Sequence, residues 1–217
     1  MLAMLCLSLV LYPFADSSRM FRVAAQLLDI GIVLMVVRAV RASGRWLRFG
    51  WVIGVPVIVL QFVALFPATQ AVEPWLLASQ VLFHAYAVAA LLAYVLTDNY
   101  VTLDELFAIA SLYILLALLW ASAYAMLVYF SPGAIYINVS NNLDGTVSFA
   151  ELVYFSMTTL TSVGFGEITP VTSGARALVM LQQVVGVLYV AMLIARLTGL
   201  YGNVERGPRL RGPGDPR

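Results

Sequence analysis

The chain has 217 residues, 62% of them hydrophobic and only 11% charged, with a mean hydropathy of +0.93, so it has too little polar surface to cover a soluble globule. Its 12 basic and 11 acidic groups cancel to +1, and every basic residue is an arginine, a balance that gives nucleic-acid binding no basic footprint. The composition describes an integral membrane protein whose first partner is the lipid bilayer. Its single cysteine, Cys6, cannot close an intrachain disulfide and reads as a packing residue.

Crossing a hydrocarbon core of ~30 Å takes about 20 helical residues. Six apolar stretches are read as spans, at 2–14, 20–40, 50–66, 75–96, 103–130 and 174–201, and a seventh at 148–161 is too short to cross. The first stretch is short, but no basic leader or small-residue cleavage pattern precedes Asp16, so a retained helix is expected rather than a signal peptide. Arg38, Arg41, Arg45 and Arg48 crowd the link between the second and third stretches, and Arg206, Arg209, Arg211 and Arg217 follow the sixth. Basic residues collect in cytoplasmic loops, so both regions are expected inside, and six spans then place both termini in the cytoplasm of a multi-pass cell-membrane protein. Asp98, Asp104 and Glu105 lie on the same side, and acidic groups contribute little to that rule. The stretch 203–217, rich in glycine, proline and arginine, reads as a disordered tail.

Ser148 followed three residues later by Glu151 is a capping-box pattern, and Asn142-Leu143-Asp144-Gly145 before it is a turn signal, so the short seventh helix starts at about Ser148. It runs directly into Thr158-Thr159-Leu160-Thr161-Ser162-Val163-Gly164-Phe165-Gly166-Glu167-Ile168-Thr169-Pro170. This segment is similar to the Thr-Val-Gly-Tyr-Gly-Asp signature of the potassium-channel pore family, with its Thr-Thr lead-in and Thr-Pro exit, over roughly residues 149–186. A bare K⁺ needs closely spaced oxygens in place of its water shell, and successive backbone carbonyls supply them only in torsions that glycine tolerates, which suits Gly164 and Gly166.

The resemblance implies an all-α membrane fold with six transmembrane helices and a re-entrant pore helix and filter loop between the fifth and sixth. One filter loop per chain then implies a homotetramer. Residues 1–102 become a four-helix peripheral domain, 103–202 the pore domain and 203–217 the tail. By resemblance, Ser162, Val163, Gly164, Phe165 and Gly166 present carbonyls to K⁺, while Tyr154, Phe155, Thr158, Thr161 and Glu167 support the filter. Ser162 stands for the family's usual threonine, Phe165 for a tyrosine whose hydroxyl braces the filter, and Glu167 for an aspartate. Tyr154 and Phe155 stand where tryptophans are usual, and Thr158 where some relatives place a carboxylate.

Gly186, 19 residues beyond Glu167, stands where relatives have a hinge glycine, although close helix packing explains a lone glycine equally. Gln182 and Gln183 are unusual within a membrane helix and are expected to face a water-filled cavity or bond to a neighbouring helix. Near the cytoplasmic boundary, Arg196 is placed to meet Asp98, Asp104 or Glu105, or to snorkel to the headgroups.

Six helices with the filter after the fifth is the plan of voltage-gated relatives, yet from 75 to 96 the only ionisable residue is His84, so steep voltage gating is not expected. Asp29 and His84 both lie ~14 Å below the outer face at ~1.5 Å per residue, and form a candidate intramembrane polar pair, structural or linked to pH. The loop 140–151 also resembles an EF-hand, with Ser140, Asn142, Asp144 and Glu151 as oxygen ligands for external Ca²⁺, although a turn followed by a helix cap uses the same residues. No cofactor is expected beyond the permeant ion. The rival readings are a weakly selective cation channel on the same scaffold and a potassium transporter subunit. With one histidine and no Gly-x-Ser-x-Gly element, an enzyme has no support.

Overall fold

A computed structural model describes residues 1–15, 18–39, 44–63, 72–97, 103–142 and 145–204. The sequence-based readings that involve Arg41, Asp98, Asp144 and the tail from 205 onward lie outside these residues.

The helices are α1 (Leu2–Leu11), α2 (Arg19–Ala39), α3 (Gly44–Val63), α4 (Glu73–Thr97), α5 (Leu103–Phe130), α6 (Phe149–Leu160) and α7 (Ser173–Val204). Four segments are long and apolar enough to cross a membrane: Arg19–Arg38, Glu73–Leu96, Leu103–Phe130 and Ser173–Arg196. Among the described residues, Leu2–Phe14 and Gly50–Val63 are shorter apolar helices. Pro13 sits in the 3₁₀ turn Tyr12–Phe14 that ends α1.

The fold is mostly helical rather than wholly so. The expected all-α class missed a two-stranded antiparallel ribbon of β1 (Ile135–Ile137) and β2 (Ile168–Pro170), in which Ile135 faces Pro170 and Ile137 faces Ile168. Asn138 N–H extends it by donating to the Glu167 carbonyl at 2.8 Å, and Val171 N–H donates to the Ala134 carbonyl at 2.9 Å. Apolar β-branched residues at alternate positions 135 and 137 put Ile135 and Ile137 on the buried face. The ribbon thus holds the exit of the glycine-bearing loop to the chain leaving α5.

The central helix is α5, packed against α1, α4, α6 and α7. Within its apolar window 61% is buried, against 17% for α7, so α7 has most of its apolar surface unpartnered in the single chain. α6 begins with the expected capping box: Glu151 N–H donates to Ser148 Oγ at 3.3 Å, and Ser148 N–H donates to Glu151 Oε2 at 2.7 Å. Its inner face, Leu152, Val153, Phe155 and Ser156, is buried against α5.

A buried polar network joins α5, α6 and α7. Gln182 on α7 is fully buried; its amide N–H groups donate to the Ser156 carbonyl at 2.9 Å and to Ser156 Oγ at 2.8 Å. Its carbonyl accepts from Tyr124 Oη at 2.5 Å, and Ser156 Oγ donates to the Ala117 carbonyl at 2.7 Å. Every polar atom of the amide has a partner on another helix. Replacing Gln182 by leucine strands the Tyr124 hydroxyl, at a cost of about 1–3 kcal/mol. Thermal unfolding of detergent-solubilised Gln182→Leu should therefore show a clearly lower midpoint, and an unchanged midpoint would show that the network adds nothing.

Candidate pore loop and its supports

α6 ends at Leu160, and the chain then turns sharply. Thr161 N–H donates to the Met157 carbonyl at 3.0 Å and Ser162 N–H to the Thr159 carbonyl at 3.1 Å. The Thr158 carbonyl accepts from both Val163 N–H at 2.9 Å and Gly164 N–H at 3.1 Å. These bonds satisfy the last carbonyls of the helix with the amides of the loop, leaving the loop's own carbonyls from Ser162 onward without a backbone partner among the described residues before Glu167.

Ser162, Gly164 and Gly166 have φ of 60°, 51° and 94°, whereas Val163 and Phe165 are not in the positive-φ region. Alternation between left- and right-handed backbone turns successive carbonyls toward one side of a strand. It also explains the residue types, because glycine enters the left-handed region without strain and a β-branched residue does so at a cost. Threonine would be strained at position 162; serine, without the branch, is easier there. The loop is exposed on the single chain, Val163 by 53% and Phe165 by 70%.

The supports only partly follow the expectation. The bracing hydroxyl missing from Phe165 is supplied from the other partner: Tyr154 Oη donates to Glu167 Oε1, and the Tyr154 ring stacks on Phe165 with centroids 6.3 Å apart and an interplanar angle of 3°. Phe155 instead faces the core and packs on Tyr124 at 5.1 Å. Thr158 and Thr161 spend their hydroxyls within the helix turn, on the Phe155 carbonyl at 3.0 Å and the Met157 carbonyl at 2.7 Å, so Thr158 supports the loop through its carbonyl rather than its side chain.

Behind the loop, the Leu160 carbonyl accepts from Tyr113 Oη at 3.2 Å, and Gly186 of α7 lies against it. A Cβ on Gly186 would stand 2.5 Å from that carbonyl oxygen and 3.1 Å from the Leu160 side chain. Close approach of α7 to the end of α6 therefore accounts for this glycine in the structure. Tyr189, one turn further, stacks near Tyr113 at 5.4 Å and donates to the Ile109 carbonyl at 2.6 Å. Reading the sequence missed Ser156, Tyr113, Tyr124 and Tyr189; the available signal was polar atoms on otherwise apolar helices, which seek partners across helices.

At the far end of α7, Arg196 Nη2 meets Glu105 Oε1 at 2.7 Å, with the glutamate side chain 3% exposed. Among the carboxylates expected near Arg196, Glu105 meets it, and this tie joins α7 to α5. Asp29 and His84 line one small pocket but bond to different partners: Tyr12 Oη donates to Asp29 Oδ1 at 2.5 Å, and His84 Nδ1 lies 3.1 Å from Ser122 Oγ. The expected direct pair is thus replaced by two separate bonds. In the EF-hand-like loop, Ser140 bonds to Asn138 Oδ1, Asn142 follows the 3₁₀ turn Val139–Asn141, and Glu151 is committed to the helix cap. Among the described residues no cluster of three or more His, Cys, Asp or Glu could hold a metal.

Residues 113–202 match the protein family described as Ion channel. Among curated proteins the chain is similar to the Potassium channel protein kcv of Paramecium bursaria Chlorella virus 1, with 41% identity over 54 residues, which are 24% of this chain and 57% of that protein. The chain thus spans little more than half the length of that relative. No solved structure matches significantly. The family match includes α6 and the glycine-bearing loop.

The contact at Gly186 gives a direct test. Gly186→Ala must push α7 away from Leu160 by several tenths of an ångström or displace the end of α6. Ion flux through the reconstituted variant should fall at least several-fold; flux equal to that of the parent chain would show that the contact does not position the loop.

Proposed function

We propose that the chain is one subunit of a homotetrameric potassium channel that conducts K⁺ passively through a filter of backbone carbonyls at 162–166. The observation that carries this reading is the alternation of left-handed backbone at Ser162, Gly164 and Gly166 directly after a capped helix. Four such loops around an axis would supply rings of carbonyl oxygens in place of water. The carboxyl end of α6, with its partial negative charge, would favour a cation beneath them.

Two features support assembly around α7. The loop is exposed in the single chain, and apolar side chains such as Met180, Val184, Val187, Leu188 and Ile194 on α7 are each more than half exposed. Neighbouring subunits and lipid would cover those faces. In this reading α1 to α4 surround the pore, α1 to α5 and α7 all enter the cell membrane, both termini are cytoplasmic, and α6 re-enters from outside. Opening depends only weakly on voltage, because Glu73 and His84 are the only ionisable residues along Glu73–Thr97.

Gly164→Ala and Gly166→Ala each add a Cβ where φ is positive, so they strain the filter without touching other packing; nothing lies within 4 Å of either Cβ position in the single chain. Purified variants reconstituted in liposomes should still assemble yet lose K⁺ flux or its preference over Na⁺. Parental flux and selectivity in both variants would remove the filter assignment.

A further inference from the structure

The pocket that holds Asp29 and His84 lies apart from the pore loop. It has room for about one water and is lined by Tyr12, Asp29, Gln61, Gln80 and His84, with Phe149 of α6 closing one side. The groups of this lining that titrate are Asp29 on α2, His84 on α4 and Tyr12 in the turn after α1; α3 contributes only the neutral Gln61, and α6 only Phe149. No arginine lines it, so an ionised Asp29 has no positive partner among these groups.

The hydrogen bonds leave the pocket short of a donor. Tyr12 gives its one proton to Asp29 Oδ1. Gln61, 5% exposed, has its Oε1 buried with no hydrogen-bond donor among the described residues. The Ser122 hydroxyl donates to the Leu118 carbonyl at 2.9 Å and lies 3.1 Å from His84 Nδ1. A proton on the Asp29 carboxyl would remove an unpaired charge from an apolar setting and would add a donor to the pocket that Gln61 also lines.

Two of these groups, Tyr12 and His84, also reach the pore segment. The Tyr12 ring packs edge-on against Phe149, with centroids 5.5 Å apart and planes at 79°, and Phe149 is the first residue of the helix that carries the loop. His84 is bonded to Ser122 of α5.

We propose that this pocket is a proton-binding site centred on Asp29, and that its occupancy is transmitted to the pore through the contact of Tyr12 with Phe149. A hydrogen bond to an ionised carboxylate is about twice as strong as one to a neutral acid. Proton uptake therefore loosens the hold of Asp29 on Tyr12, and with it the seat of Phe149. The transmission half rests on the channel reading, whereas the site itself does not.

The test uses the full chain reconstituted in liposomes, as the parent and as Asp29→Asn, Tyr12→Phe and Phe149→Ala. Infrared difference spectra between about pH 5 and 8 should contain a protonated-carboxyl band that Asp29→Asn lacks and that Tyr12→Phe shifts in midpoint. K⁺ flux should change several-fold over that range in the parent, and this change should be lost in Asp29→Asn and in Phe149→Ala, the latter keeping the band. A parental band in Asp29→Asn, or an unshifted midpoint in Tyr12→Phe, would overturn the site. A pH response that survives in Asp29→Asn and disappears in His84→Gln would overturn it in favour of the histidine, and a response that follows Na⁺ rather than pH would overturn it in favour of a metal ion. With no flux at any pH the transmission half falls with the channel reading, while the band still decides the site.

Discussion

One buried amide holds the pore segment together. Gln182 of α7 is bonded to Tyr124 of α5 and to both the carbonyl and the hydroxyl of Ser156 on α6, and it has no exposure of its own. In hydrocarbon surroundings such an amide has no water to fall back on, so the three helices must keep one relative placement for its bonds to survive. Ser156 is one turn from the end of α6, which places the start of the loop by the same bonds. The other contacts refine this placement: Gly186 and Tyr113 meet the Leu160 carbonyl, and the β1–β2 ribbon holds the loop exit.

With both ends held, the loop adopts a backbone that an unconstrained chain would avoid. Ser162 sits at positive φ without being glycine, a cost borne only where the surroundings over-determine it. The brace between Tyr154 and Glu167 and the stacking of Phe165 on Tyr154 fasten the outer part of the loop to α6. At the opposite end of α7, Arg196 and the buried Glu105 form a pair that ties α7 to the beginning of α5. Breaking it would leave a charge in an apolar setting, so the pair favours one arrangement of those helix ends.

Much of this was legible in the sequence. Apolar stretches marked α2, α4, α5 and α7, Ser148 and Glu151 marked the start of α6, and Gly164 and Gly166 marked the loop, because in each case the local chemistry decides the local structure. Arg196 had a carboxylate partner within reach along the membrane face, and Glu105 fills that role. What was not legible depends on contacts distant in sequence. The register that pairs Ile135 with Pro170, the link between Tyr113 and Leu160 across 47 positions, and the partition of Asp29 and His84 between Tyr12 and Ser122 follow from how the helices pack, which no local pattern encodes.

The central claim is that the carbonyls of 162–166 replace the hydration shell of K⁺ and not that of Na⁺. It is tested most directly by the reversal potential of the purified, reconstituted chain with K⁺ on one side of the bilayer and Na⁺ on the other. A selective filter predicts a large reversal potential whose sign is set by the K⁺ gradient and inverts when the two solutions are exchanged. A reversal potential near zero, with current carried in both directions, would contradict it.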